Sequence, residues 1–574
     1  DGDPVNSKIR TAMINVMGNT YVEYQPFTGL SFRTSLSAAY TSERIGDYRG
    51  TWSKSQIGKL PRAQYDSRIM GSYTLDNILT YQTSLNRHKI TLTGLQSSFY
   101  QRNEAYQIAV MDLPFASDWY AINTGTITGY SSSLVERSLL SFMGRLNYSF
   151  ADRYLLTLTG RSDGASQLSE NNKWAFFPSV AFAWRIMEEP FMADKLTALS
   201  DLKLRLSYGQ VGNSTVNPYS TQASLLNTGY DFDGAPAFGF APANLGNKDL
   251  KWERSKELNL GIDFGLFRNR IVGMLELYDR KTVDLILNQK IPSVTGFSQV
   301  IANVGEIGNK GVELTLNTIN IARSNFEWSS TLTFTRNRNK LLSLYGDGQT
   351  EDKGNKLFVG HPIRANFDYE FDGIWQLDQK DEAAVYKQVP GSVRVVDQNK
   401  DGVISSSDGI DDRIVLGTEL PNWLTGFTNR LRYRDFDFSV FIYYRNGVQY
   451  RNNTLAGTFG EVNNVRYNNL AELDYWRTDN PSNTYFGLTV ANPYRNAITY
   501  QDASFLRVSD ITLGYNLPPK FLNKWNMSRA RVYVQSNSPI VLTKFIGFDP
   551  EFNSSIYQDD IPTAIYTLGI NLSF

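Results

Sequence analysis

Cysteine is missing from all 574 residues, and histidine occurs only twice, at His88 and His361. The first absence removes thiolate metal sites, disulfides and cysteine nucleophiles together. The second leaves too few imidazoles, too far apart, for a Ser-His-Asp triad or a histidine metal cluster. No sign of charge predominates: 57 Lys and Arg balance 57 Asp and Glu. No bulk field therefore recruits nucleic acid or an acidic partner. Long apolar runs are absent as well. No stretch approaches the roughly 18 to 20 apolar residues that cross a bilayer as a helix. The most apolar patch, Phe438 to Tyr444, has strand length and contains Ser439. The N-terminus, Asp1-Gly2-Asp3-Pro4, shows neither a starting Met nor a basic-then-apolar leader, so the chain is expected to be processed or part of a longer one.

What is abundant is aromatic: 33 Tyr and 33 Phe, the usage of proteins that keep rings at a boundary between oil and water. The decisive signal is alternation. A strand wetted on one face and oily on the other alternates over about ten residues. Tyr566, Leu568, Ile570, Leu572 and Phe574 share one face, with Thr567, Gly569, Asn571 and Ser573 on the other. Leu258, Leu260, Ile262, Phe264 and Leu266 oppose Asn259, Gly261, Asp263 and Gly265 in the same way. Ile511, Leu513, Tyr515 and Leu517 repeat the pattern, as do Leu140, Phe142, Leu146, Tyr148 and Phe150. Roughly 16 to 18 segments qualify as strands by this rule.

Tight joints, such as Thr28-Gly29, Phe267 to Arg270 and Tyr433 to Phe436, alternate with long polar stretches at 42–67, 103–134, 212–250, 340–412 and 450–500. Short turns at one end and long loops at the other describe an all-β, transmembrane antiparallel barrel with long extracellular loops. A soluble sandwich, β-helix or propeller also alternates, but sandwich strands average about 5–6 residues and solenoids repeat at a fixed period. These segments run longer without a repeat, and a soluble fold would have to bury every one of their Leu, Phe and Tyr faces. The last strand ends on an aromatic, similar to the signal read by the machinery that folds outer-membrane barrels.

One local motif carries chemistry. Residues 395–412 contain Asp397-Gln398-Asn399-Lys400-Asp401-Gly402, with the spacing of an EF-hand calcium loop. Oxygen ligands are expected from Asp397, Asn399, Asp401, the Val403 carbonyl and Asp408, with Gly402 at the sharp turn. Asp408 stands where an EF-hand has a longer Glu, and no helices are expected to flank the loop, so a structural clip fits better than a sensor. No catalytic set is expected. Paired carboxylates such as Asp411-Asp412 and Asp559-Asp560 could serve a glycosidase, but such pairs are more often solvated loop charges. Ligand contact is expected from loop aromatics, which stack on sugar rings and peptide side chains alike: Trp119, Tyr120, Tyr230, Phe232, Phe238 and Phe240.

Several segments resemble the SusC-like TonB-dependent transporters of Bacteroidetes: Leu202 to Asn213, Asn303-Val304-Gly305-Glu306-Ile307-Gly308-Asn309-Lys310-Gly311-Val312-Glu313-Leu314, Ala503 to Pro518, and Asn537 to Glu551. They follow the family's order across nearly the whole chain. The resemblance implies most of a 22-stranded barrel over 1–574, in outer-membrane lipid. It also implies an N-terminal plug that engages TonB and a SusD-like surface lipoprotein as lid. Neither plug nor TonB-pairing segment is recognisable here. The function implied is active import of an oligomeric nutrient, an oligosaccharide rather than a peptide. The alternatives are an oligopeptide importer of the same family or a passive porin-like channel.

Overall fold

The computed structural model describes residues 6–192, 198–346, 348–453, 455, 474–488, 490–523, 527–547, 549–551 and 563–574. Seventeen strands belong to one sheet. They are β1 (Ser7–Phe27), β2 (Leu30–Arg49), β3 (Arg62–Leu85), β4 (His88–Met111), β5 (Thr126–Phe150), β6 (Tyr154–Ala165), β7 (Trp174–Arg185), β8 (Leu199–Asn213) and β9 (Glu253–Leu266). The sheet continues with β10 (Ile271–Val283), β11 (Glu306–Arg323), β12 (Phe326–Ser343), β13 (Trp423–Tyr433), β14 (Phe436–Asn446), β15 (Phe505–Asn516), β16 (Arg529–Thr543) and β17 (Ile565–Ser573). The chain forms two compact units: Asp1–Trp184 with Ser207–Glu257 and Thr282–Val304, and Arg185–Leu206 with Leu258–Lys281 and Gly305–Phe574.

In the first unit β1 to β7 pair antiparallel in chain order. The turns are short because their residues accept left-handed backbone: Gly29 has φ 93° and Asn86 φ 54°. The apolar face of this wall is exposed. Leu92, Phe142 and Phe176 are 46%, 48% and 62% accessible, a cost in water and a gain in lipid. Where polar groups enter that face they satisfy one another, as lipid requires: Thr34 donates to Asn77 at 2.9 Å, and Asn77 to Gln96 at 2.6 Å. On the other face Arg161 is tied to Asp163 at 2.7 Å and to Ser141 at 2.9 Å.

The ladders run further than alternation suggests. β3, β4 and β5 have 24, 24 and 25 residues, whereas about 9 to 11 tilted residues span a bilayer. Pairing persists from Ser42↔Ile69 to Arg49↔Arg62 and from Asn103↔Val135 to Met111↔Thr126. The expected loops at 42–67 and 103–134 therefore contract to 50–61 and 112–125. Beyond the lipid both faces are wet, so the apolar-polar code stops while the backbone ladder continues. Charged pairs replace it, such as Arg68 with Glu43 at 3.1 Å.

In the second unit β11 to β17 pair antiparallel in chain order. The joint Phe267-Arg268-Asn269 has φ of 55°, 58° and 61°, and Arg434 turns β13 into β14 with φ 52°. The assigned faces hold: Leu513, Leu568 and Ile570 are exposed, while Arg531 and Asp437, and Gln535 and Asp510, join across the opposite face.

Apolar cores lie outside the strand middles. Tyr48, Ala63, Val110, Leu113 and Trp119 form one in the first unit, and Ala165, Leu168, Phe177, Leu250 and Trp252 another. In the second unit a larger one gathers Ile374, Val393, Val395, Leu455, Trp476, Tyr485, Phe486, Ala497 and Ile498. Around it Ala365–Tyr369 pairs with Arg413–Thr418, and Phe371–Ile374 with Val393–Val395. A short helix, α1 (Lys380–Val385), lies between.

Candidate functional site

Four of the six expected ligand aromatics stand on one hairpin, Leu225–Phe232 paired with Ala235–Pro242. Its turn is dictated locally. Asp233 and Gly234 both take positive φ, 52° and 83°, as a two-residue hairpin loop demands, and Asp231 accepts the Gly234 N–H at 2.6 Å. Phe232 and Tyr230 lie opposite Ala235 and Ala237, while Phe238 and Phe240 lie opposite Gly229 and Asn227. Tyr230 and Phe232 thus share one face, with ring centroids 4.7 Å apart, and Phe238 and Phe240 the other. Small residues face all four rings, so the rings stand proud on both sides, with Phe238 82% exposed.

Trp119 and Tyr120 adjoin in the loop between β4 and β5 but differ in placement. Trp119 is 8% exposed within a loop core, and Gly46 leaves room for its ring. Tyr120 is exposed beside it, centroids 5.5 Å apart. Trp119 holds the loop; Tyr120 presents a ring to solvent.

The segment 395–412 folds on itself through its carboxylates. Asp397 accepts the N–H groups of Lys400 at 2.6 Å and Gly402 at 2.9 Å. Asn399 accepts that of Asp401, and Asp401 that of Val403. Lys400 and Gly402 have φ of 60° and 82°. Strands, not helices, flank the loop. Asp408 points away: its side chain is 96% exposed and 3.2 Å from Lys353. The residue that closes the loop is Asp412, fully buried, accepting Gln398 N–H at 3.0 Å and Ser405 N–H at 2.8 Å. Twelve-residue counting passes over it, because Gly409-Ile410-Asp411 intervenes; the only signal was a second carboxylate before Arg413. Among the described residues no three His, Cys, Asp or Glu side chains converge on one point, so any cation here would draw on amide and carbonyl oxygens as well.

Asp411 and Asp412 are not solvated. Asp411, 6% exposed, binds Lys353 at 3.0 Å and Arg413 at 3.0 Å. Burial pushes its pKa up, but hydrogen bonds from the Arg413 guanidinium and amide and from Lys353 outweigh that and bring it to about 2. Asp559 and Asp560 lie outside the described residues. His88 is bound to Tyr148 at 2.7 Å beside Phe150, and the His361 carbonyl accepts the Leu341 N–H.

A sheet with its apolar face outward, short turns, long wet ladders and cored loops defines an outer-membrane β-barrel protein. Residues 6–535 match the family described as TonB dependent receptor-like, beta-barrel, and the chain belongs to it. Members are receptors for transport, not enzymes. The chain is 32% identical over 591 residues to TonB-dependent receptor P3 of Formosa agariphila, covering 97% of itself and 58% of that protein. It is 31% identical over 468 residues to TonB-dependent receptor SusC of Bacteroides thetaiotaomicron, covering 76% of itself and 44% of that protein. The structure of the RagAB peptide transporter has the same fold, with TM-score 0.85 at 24% identity over all of this chain and 63% of that one. The chain thus spans roughly half the length of the curated relatives it matches.

Proposed function

We propose that the protein containing this chain actively imports a neutral oligosaccharide across the outer membrane, driven through TonB and assisted by a SusD-like surface lipoprotein. The observation that carries the substrate class is the aromatic hairpin. Tyr230, Phe232, Phe238 and Phe240 stand exposed, and its only charges are Asp231 and Asp233. Rings beside short amide and carboxylate side chains suit sugar faces and hydroxyls, whereas nothing cationic on the hairpin meets a peptide carboxylate. The relatives' names support TonB coupling. The peptide-importer likeness is one of fold and keeps the oligopeptide reading as the second.

Titration of the full-length protein with neutral oligosaccharides and with oligopeptides separates these. Binding of the sugars should weaken roughly tenfold per ring on Tyr230→Ala or Phe238→Ala, about the weight of one aromatic contact. Binding of peptides alone would favour the second reading. Steady current through the complete protein in planar bilayers, without TonB, would favour a passive channel.

For the loop at 395–412 the proposal is a structural calcium ion held by Asp397, Asn399, Asp401 and the Val403 carbonyl, hard oxygens of the kind this cation takes. Asp412, buried against the loop, is better placed than Asp408 to complete the set. Calcium measured per mole of dialysed protein should fall for Asp397→Ala and Asp412→Ala and persist for Asp408→Ala. Retention in the Asp397→Ala protein would remove the proposal.

A further inference from the structure

A groove on the outer half of the apolar face of β9, β10, β11 and β12 is apolar below and basic above. Leu258, Leu260 and Leu277 line a cavity of about 510 Å³ whose upper edge is Lys310, Arg336 and Arg338. β12 places Phe326, Trp328, Leu332 and Phe334 on the same side as Arg336, Arg338 and Lys340, since side chains alternate. Phe326 to Phe334 covers about 30 Å of strand at about 3.4 Å per residue, or nearly the ~25 Å height of a lipid-facing band once tilted. The two-residue joint between β11 and β12 marks the short-turn end, so the basic residues stand at the outer lipid boundary.

Their arrangement is costly without a counter-ion. Lys310 is directly opposite Arg338, with Val312 opposite Arg336 and Gly308 opposite Lys340, and like charges directly across a ladder repel. Lys310 has Asp279 at 2.7 Å. Arg338 donates to the Asn422 amide oxygen at 2.8 Å, and among the described residues Arg336 and Arg338 form no ion pair. Asp279, which also lines the groove, offsets Lys310 alone, and two arginines without an acidic partner at the edge of lipid call for an anion that itself carries hydrocarbon.

We propose that this groove binds a phosphorylated, acylated lipid of the outer leaflet, its phosphate on Arg336, Arg338 and Lys310 and its chains over the leucines. Arginine suits the head group because its planar fork matches phosphate oxygens, and juxtamembrane cations of this kind draw anionic lipid.

The test uses full-length protein extracted in mild detergent, stripped of lipid, and placed in phosphatidylcholine nanodiscs with or without lipid A. Native mass spectrometry reads the lipid A retained. The wild type should keep it, and Arg336→Gln/Arg338→Gln should keep roughly an order of magnitude less. Arg336→Lys/Arg338→Lys should recover most of the binding, which separates charge from folding. Arg430→Gln, on the opposite face of β13, should behave as wild type. Equal retention by the double Gln protein, or equal loss in Arg430→Gln, would overturn the site. Displacement of the lipid by millimolar inorganic phosphate would show that only the phosphate is read, and would overturn the lipid assignment.

Discussion

Two loop regions fold in opposite ways. The region around 365–418 and 474–500 gathers Ile374, Val393, Trp476 and Phe486 into a core. The hairpin 225–242 also carries large apolar side chains but leaves Tyr230, Phe232, Phe238 and Phe240 in solvent. The difference lies in what each ring faces. Trp476 packs over Gly391 and Gly487 and donates its indole N–H to Gln376 at 3.1 Å. The hairpin's rings face only alanine, glycine and asparagine across a two-stranded ladder, and two strands alone cannot close a core. A loop that buries its aromatics keeps a shape; one that exposes them leaves its rings free for contact.

Removing the central ring of the cored region should have the largest effect. Trp476→Ala should cost about 3–5 kcal/mol there, as large-to-small changes in a packed core do. Hydrogen exchange across 371–395 and 474–488 should accelerate while the strands stay protected. If that exchange is unchanged, the core is not what holds the region.

The lipid wall supplies the next test, since its exposed rings resemble the hairpin's in accessibility but have lipid as solvent. Leu513→Arg should impair assembly by roughly 2–4 kcal/mol if near the bilayer midplane, and Thr512→Arg much less. Heat-modifiable migration of the folded protein reads the loss. Equal damage from both would contradict the assigned faces.

Acid should sharpen the contrast from another side. The Asp411 carboxyl titrates at about 2 in the fold against an ordinary 3.8. A lowered folded pKa contributes stability that is whole above the unfolded value and disappears as pH falls through the folded one. Between about pH 5 and about pH 2, protease cleavage near 353 and 405–413 should therefore rise. The hairpin turn, which has no such ion pair among the described residues, should show little change.

The smallest effect should come from the hairpin. Phe238→Ala should change stability by no more than about 0.5 kcal/mol, as surface substitutions do, even where it weakens ligand binding. A thermal shift as large as that of Trp476→Ala would mean the ring has a buried partner.

Alternation alone assigned the faces of the strands containing Leu258, Leu513 and Leu568, because lipid and water on opposite sides impose a period of two that each residue reports by itself. The tight turns were equally local, resting on residues such as Gly29 and Arg434 whose backbone carries the bend. The tight loop made by Asp397, Asn399 and Asp401 was legible for the same reason, their oxygens binding backbone N–H groups two to five residues away. Tertiary structure decided the rest. Strand ends at Arg49 and Met111 continue past the code, since backbone pairing needs a neighbour and not a pattern. Trp119 and Tyr120, adjacent and both aromatic, parted company over whether a core was near. Asp412 entered the loop in place of Asp408 because burial depends on what packs around a carboxylate, and a chain read one residue at a time does not contain its neighbours in space.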